Sequence, residues 1–219
     1  MRKALVLDFG GVVTRTLFET HALTEKALGL AAGTLTWRGP FDPDGDPLWQ
    51  SMQADEITER QYWQQRTREV AELAGKDWTE MAQFVIAARG ADPMPVIRPE
   101  AISAIDRARD AGVALAILSN ELDLFYGAEF RNKLPFLRTF DVIHDATYTH
   151  ILKPDRRAYE ACIDALNIAA ADCVFVDDQA RNIAGAKAVG MQTVHFDVSK
   201  PAAGYAQALG LLEITGEIA

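Results

Sequence analysis

The sequence is poor in cysteine. Cys162 and Cys173 are the only two in 219 residues. That is too few for a disulfide framework, and neither has a histidine beside it to complete a zinc site. Each stands in an apolar stretch and reads as a small buried hydrophobe. No apolar run approaches the roughly 20 residues that a membrane-spanning helix needs. The run after Met1-Arg2-Lys3 is too short for a signal segment and no small-residue cleavage site follows it, so the chain reads as cytoplasmic. Positive charge is scarce too. Twenty-two Lys and Arg stand against 31 Asp and Glu, a formal net charge of -9. This excludes a broad electrostatic grip on nucleic acid or on an anionic membrane. It leaves room for a small, locally basic pocket. There is no P-loop, no dinucleotide fingerprint and no metalloprotease histidine pair. Asp42, Asp44 and Asp46 imitate the start of a calcium loop. The glycine falls at Gly45 instead of the sixth position, and Gln53 stands where the bidentate glutamate belongs. Oligomeric state is not readable.

What is present is a globular α/β pattern. A chain of this length buries roughly 70–75% of its unfolded surface and needs no covalent staple. Ala4-Leu5-Val6-Leu7 is a continuous apolar run stopped by Asp8-Phe9-Gly10-Gly11. Its length and the glycine stop predict a strand. Similar runs lie at Val113–Leu118, Cys173–Val176 and Gln192–Phe196. Strands without alternation are covered on both faces, as in parallel sheets. Helical stripes fall between them: Ile102, Ile105 and Ala108; Tyr159, Cys162, Ile163 and Leu166; Ile183, Ala186 and Val189. The order predicts a doubly wound parallel sheet. Ala202–Leu212 has the apolar spacing of a closing helix.

Residues 16–90 break this rhythm. Three helices are expected there, from Leu23, Ala27 and Leu30, from Trp63, Thr67, Val70 and Ala74, and from Trp78, Met81, Phe84 and Val85. The second is opened by Asp55-Glu56-Ile57-Thr58. A turn-rich piece, Gly39 to Pro47, separates the first two. The expected division is a core of residues 1–15 and 91–219 with a helical insert at 16–90. Asp92-Pro93-Met94-Pro95 and Arg98-Pro99 read as the stiff return linker.

Four positions could carry chemistry, three of them at the carboxyl ends of predicted strands, where open α/β sheets bind ligands. Asp8 is followed by Gly10 and Gly11, which permit close approach of backbone and ligand. Ser119-Asn120 follows the second strand. Its hydroxyl and amide can donate to an anion, or cap a helix beginning near Leu122. Lys153-Pro154-Asp155 starts a helix, and taken alone Lys153 reads as a surface lysine. Asp177-Asp178, with Asn182 one turn on, places two carboxylates at a strand end. A divalent cation relieves their repulsion, and magnesium takes oxygen ligands of this kind. Helix capping is the competing reading.

In this order the motifs Asp8-Phe9-Gly10-Gly11-Val12-Val13, Leu118-Ser119-Asn120, Lys153-Pro154 and Val176-Asp177-Asp178-Gln179-Ala180-Arg181-Asn182 resemble the haloacid dehalogenase superfamily. The resemblance covers nearly the whole chain, with the helical insert in the place of that family's cap. It implies a Rossmann-like core and a hydrolase. Asp8 matches the nucleophile that forms an aspartyl-phosphate. Ser119 matches the hydroxyl on the phosphoryl oxygens, with Asn120 and Gly11 beside it. Lys153 matches the cation that orients the nucleophile and neutralises charge. Asp178 matches the direct magnesium ligand, Asp177 its support, and Gly10 a carbonyl ligand beside Asp8. A small phosphorylated metabolite is the implied substrate.

Gly10 departs from the pattern. The family's phosphatases carry a second Asp there, which protonates the leaving group and then activates water. Such help is worth about 10²–10⁴-fold in rate. Three readings stay open: a phosphatase whose substrate has a good leaving group or whose acid comes from a cap residue or water; a dehalogenase, since halide leaves without a proton; or a ligand-binding protein without catalysis. The family's metal-free dehalogenases lack the acid pair kept here as Asp177 and Asp178, and three clustered carboxylates need a cation. Glu19 and His21 are candidates for the missing acid. Thr14, Arg15, Thr16, Phe18, Trp37, Arg38 and Trp49 are candidate substrate contacts, each read first as insert core or surface.

Overall fold

The structure, a computed structural model, describes residues 2–54, 56–89, 92–120 and 122–215. Asp55, in the expected helix opening, lies outside them. Five strands form one parallel sheet: β1 (Ala4–Leu7), β2 (Ala114–Ser119), β3 (Val142–Asp145), β4 (Cys173–Asp177) and β5 (Gln192–His195), in the order β3-β2-β1-β4-β5. The chain works outward from β1 to β3, then returns to the other side of β1 for β4 and β5. That reversal makes the carboxyl ends of β1 and β4 a topological switch point.

The continuous apolar runs are explained by cover on both faces. Ala4, Val6, Ala114, Ala116, Leu118, Cys173 and Phe175 pack on one side with Tyr159, Cys162, Leu166, Ile183 and Ala186. Those partners come from the helices Arg156–Leu166 and Ala180–Ala188. The alternate residues, Leu5, Leu7, Leu115, Ile117, Val174 and Val176, are equally buried. The helices Pro99–Asp110 and Pro201–Leu211 pack against each other and against the sheet. The fold is the expected doubly wound α/β core. Both cysteines are buried and free, and burial pushes their thiols up to about 12 for Cys162 and about 11 for Cys173.

β3 is not among the strands expected from the sequence. Val142-Ile143-His144-Asp145 is short and its first three positions are only half-buried, so its apolar signal is weak. Parallel pairing to β2, from Ala116↔Val142 to Ser119↔Asp145, makes it a strand.

The chain divides into two compact units. The first is the sheet and the helices that cover it. The second comprises Thr16–Pro93 with Leu124–Phe130. Residues 124–130 are therefore not part of the core, where the sequence pattern puts them. Phe125 and Tyr126 pack instead with the apolar cluster of Phe18, Trp37, Tyr62 and Phe84, and the Arg89 guanidinium lies 5.8 Å from the Tyr126 ring centre. At the edge of the first unit, where the chain leaves it and comes back, Arg15 N–H donates to Val96 O and Arg98 N–H to Val13 O. Outgoing and returning segments are thus pinned side by side.

In the second unit the helices are His21–Leu28, Pro47–Gln53, Glu59–Leu73 and Met81–Arg89, besides Leu122–Tyr126, whose later residues belong here. Thr58 opens Glu59–Leu73 with a capping box to Gln61. The turn-rich piece is held by one buried carboxylate. Asp46 accepts from Gly39 N–H (3.1 Å), Trp49 N–H (3.0 Å), the Tyr62 hydroxyl (2.9 Å) and Arg66 (2.5 Å). Burial alone would raise its pKa, but these donors outweigh it and hold it below the usual range. Asp46→Ala is expected to cost about 3–5 kcal/mol, because it leaves the buried Arg66 guanidinium with Glu69 alone and strands three further donors. A depressed carboxylate stabilises above its unfolded pKa, about 4, and loses that contribution as pH falls through the folded value. Urea unfolding should show a large gap between wild type and variant at neutral pH that narrows in acid. Among the described residues no helix is long and apolar enough to cross a membrane.

Candidate active site

The sheet register builds the site. Leu7 pairs with Val176, and Asp8 N–H donates to Val176 O at 2.9 Å. This sets Asp8 beside Asp177, the last residue of β4. Phe9–Val13 then makes one wide turn. Gly11 sits at φ 81, ψ -29, in the left-handed half of the map that disfavours a Cβ. Gly10, at φ -71 and ψ 125, has backbone angles open to any residue and is exposed. The turn is anchored from behind. Arg98 Nε donates to Gly11 O at 3.1 Å, and the Tyr205 hydroxyl donates to Val12 O at 3.0 Å. The Gly11 amide points at the buried Thr14 hydroxyl, 3.4 Å away.

Lys153 is not a surface residue. Its side chain is 1% exposed and lies 5.3 Å from the Phe175 ring centre. Its Nζ donates to Asp8 Oδ1 at 2.9 Å and to Asp177 Oδ2 at 2.7 Å. Burial works against the ammonium charge, but the two carboxylates prevail and push its pKa up. Asp8 is lifted to about 6, first by burial. Lys153 pulls it down and Asp177 pushes it further up.

Asn120 explains how the lysine is aimed. Its Oδ1 accepts from Lys153 N–H at 2.6 Å and its Nδ2 donates to Lys153 O at 3.2 Å. The amide read from sequence as an anion donor is engaged with the Lys153 main chain. Among the described residues, neither side chain of Ser119-Asn120 caps the following helix. Asp145, paired opposite Ser119, accepts from the Leu122 and Asp123 amides at 3.1 and 2.9 Å. The Ser119 hydroxyl makes no hydrogen bond among the described residues and lies at the end of β2, where Leu7 pairs with Ile117.

Asp177 is fully buried and its acceptor positions are filled. Oδ1 takes the Gln179 amide at 2.8 Å, Oδ2 takes Lys153, and Asn182 Nδ2 lies 3.0 Å from both oxygens. Asn182 is held in turn by the Tyr159 hydroxyl, which donates to its carbonyl at 2.8 Å. That contact requires Gly185, where a Cβ would lie 2.8 Å from the same hydroxyl. Carboxylate oxygens of Asp8, Asp177 and Asp178 lie within 4.8 Å of one another. The donor set is all oxygen and acidic, and suits a hard divalent cation. His195 Nε2 donates to the Asp178 carbonyl at 3.1 Å, a main-chain contact in keeping with a structural histidine.

The other sequence candidates fall mostly into packing. Phe18 and Trp37 are buried in the aromatic cluster with Trp49, Tyr62 and Trp63. Glu19 accepts from the Thr16 amide and hydroxyl at 2.8 and 2.9 Å. The His21 ring meets Trp37 edge-on, and burial first, then Arg38, lowers its pKa. Arg38 is exposed, and Arg15 donates its amide to Val96. Sequence reasoning missed Asn120 as a holder of Lys153, Asp145 as a cap, and Arg98 and Tyr205 as anchors of the turn. No local pattern marks them, because each acts across the sheet on a residue distant in sequence.

Comparison with known proteins agrees with this geometry. The family model for hydrolases described as haloacid dehalogenase-like matches residues 2–190. The chain is 26% identical over 196 residues to mouse Acyl-CoA dehydrogenase family member 10, covering 89% of this chain and 18% of that one. It is 31% identical over 101 residues to Phosphatase MT3486 of Mycobacterium tuberculosis, covering 46% of each. The chain thus spans less than half the length of either relative. A crystal structure of a dehalogenase shares the fold, with a TM-score of 0.55 and 21% identity over 90% of this chain and 85% of that one. With its first strand, turn and acidic pair all inside the matched span, the chain belongs to the haloacid dehalogenase-like hydrolases.

Proposed function

We propose that the chain is a magnesium-dependent hydrolase of small phosphate esters, with Asp8 as nucleophile. The observation that carries this reading is the clustering of Asp8, Asp177 and Asp178 oxygens within 4.8 Å around a single buried lysine. Lys153 offsets one of three negative charges; a divalent cation would offset the rest. Asp8, Asp178 and the Gly10 carbonyl would hold it, with Asp177 in support, since protein donors already occupy that carboxylate. When bound, the ion supplies charge neutralisation for an incoming phosphoryl group. The chain's own residues do the rest. Lys153 fixes the Asp8 carboxylate and faces the charge that develops on phosphorus, and the Ser119 hydroxyl is available to a phosphoryl oxygen. The helical unit corresponds to the family's cap, inserted after the first motif.

Gly10 favours a second reading, 2-haloacid hydrolysis at Asp8, because halide departs without a proton. The acid pair at Asp177-Asp178 favours the first. Phosphate release from a panel of phosphorylated metabolites, with magnesium and with EDTA, tests the choice. We expect turnover that needs magnesium and disappears in Asp8→Asn. Chloride release from 2-chloropropionate without metal would establish the dehalogenase instead. No turnover in either assay, with ligand binding unchanged in Asp8→Asn, would leave a binding protein.

A further inference from the structure

We propose, building on the phosphatase reading, that the substrates are phosphate compounds whose leaving group departs as a stable anion: acyl, enol or aryl phosphates rather than esters of simple alcohols. Position 10 has no side chain from which a proton could be delivered. The turn does not force this, since φ -71 and ψ 125 suit any residue, in contrast to Gly11 at φ 81. Among the described residues of the same unit, the Ser119 hydroxyl is unengaged but is an alcohol, no more acidic than the alcohols it would have to protonate, and the following groups are already engaged. Lys153 Nζ is the counter-ion of two carboxylates, Asp8 and Asp177. Asp177 accepts from three residues. The Thr14 hydroxyl is buried against the Gly11 amide, and the Tyr159 hydroxyl donates to Asn182 O. His195 uses Nε2 on the Asp178 carbonyl.

The chemistry follows from those engagements. In the first step an Asp8 oxygen forms a bond to phosphorus while the bond from phosphorus to the leaving oxygen breaks. The electron pair stays on that oxygen, which takes its proton from solvent water afterwards. In the second step water attacks phosphorus, the bond to Asp8 breaks and its electron pair returns to the carboxylate. The proton lost by the water passes to solvent or to the phosphate formed. Neither step draws on an acid or base at position 10. The first is therefore governed by the acidity of the leaving group. The second lacks an activated water and becomes slow enough for the phosphoenzyme to build up.

The test compares phenyl phosphate with benzyl phosphate, nearly equal in size but different in leaving-group acidity, alongside 4-nitrophenyl phosphate and acetyl phosphate, all with magnesium. We expect kcat for benzyl phosphate to lie about 10²–10⁴-fold below that for 4-nitrophenyl phosphate, the span that general acid help covers. Stopped-flow traces with 4-nitrophenyl phosphate should show a burst of nitrophenolate of at most one equivalent per site. Benzyl phosphate turned over as fast as the aryl esters would overturn this inference and leave the phosphatase reading standing. Failure of every compound, acetyl and 4-nitrophenyl phosphate included, would overturn both.

Discussion

Gly10→Asp is expected to raise the single-turnover rate of the first step, phosphoenzyme formation, by about 10²–10⁴-fold with benzyl phosphate while changing that rate little with 4-nitrophenyl phosphate. A gain of this size from one surface substitution is unusual, and the backbone makes it reasonable. Position 10 is exposed and already has the β-region angles that an aspartate adopts without strain. The turn's anchors lie elsewhere: Gly11 O on Arg98, Val12 O on Tyr205, and Thr14 N–H on Phe9 O. Introducing a carboxyl therefore adds a proton donor without dismantling the turn. Selectivity for the poor leaving group separates proton delivery from general improvement. A helped alcohol gains; a phenolate that already leaves freely does not. If the first-step rates with both substrates rise equally, or neither does, the missing acid at position 10 is not what limits phosphoryl transfer to Asp8.

Lys153→Met is expected to cost about 3–5 kcal/mol in stability, together with loss of turnover. The lysine joins β1 to β4 through Asp8 and Asp177 and is itself almost wholly buried. Without it, the buried Asp177 and the largely covered Asp8 carboxylates face each other with no cation between them. Methionine keeps the apolar length against Phe175, so the loss reports charge more than packing. Urea unfolding followed by far-UV circular dichroism measures it. Added magnesium should restore part of the lost stability in the variant, because a divalent ion replaces the missing positive charge. A variant as stable as wild type, and indifferent to magnesium, would mean that the carboxylates are protonated in the folded protein and that the charge cluster is not the site's organising feature.

The fold was legible where the physics is local. Continuous apolar runs ended by Asp or Ser announce β1, β2 and β4, and small-residue helices between them announce the crossovers. β3 escaped because its stability comes from pairing with β2, not from its own half-buried side chains. The return of Phe125 and Tyr126 to the aromatic cluster of Phe18, Trp37 and Tyr62 was not legible, because only the fold creates it. At the site, four chemical groups could be named from their places at strand ends and in the Lys153-Pro154 turn. Their supports could not. Asn120 reads as a cap or anion donor until its partner, 33 residues on, is brought beside it. Lys153 reads as a surface residue until two strand ends enclose it. Long-range electrostatics and hydrogen bonding decide such residues, and a single sequence carries neither.

Attack of Asp8 on phosphorus is the step on which everything else depends. Mass spectrometry of the peptide containing Asp8, after acid quench of the enzyme with 4-nitrophenyl phosphate and magnesium, tests it most directly. The expected result is a phosphoryl adduct on Asp8 that forms within the burst, is cleaved by hydroxylamine, and is absent in Asp8→Asn. Steady release of phosphate with no adduct on Asp8, or with an adduct on another residue, would contradict it.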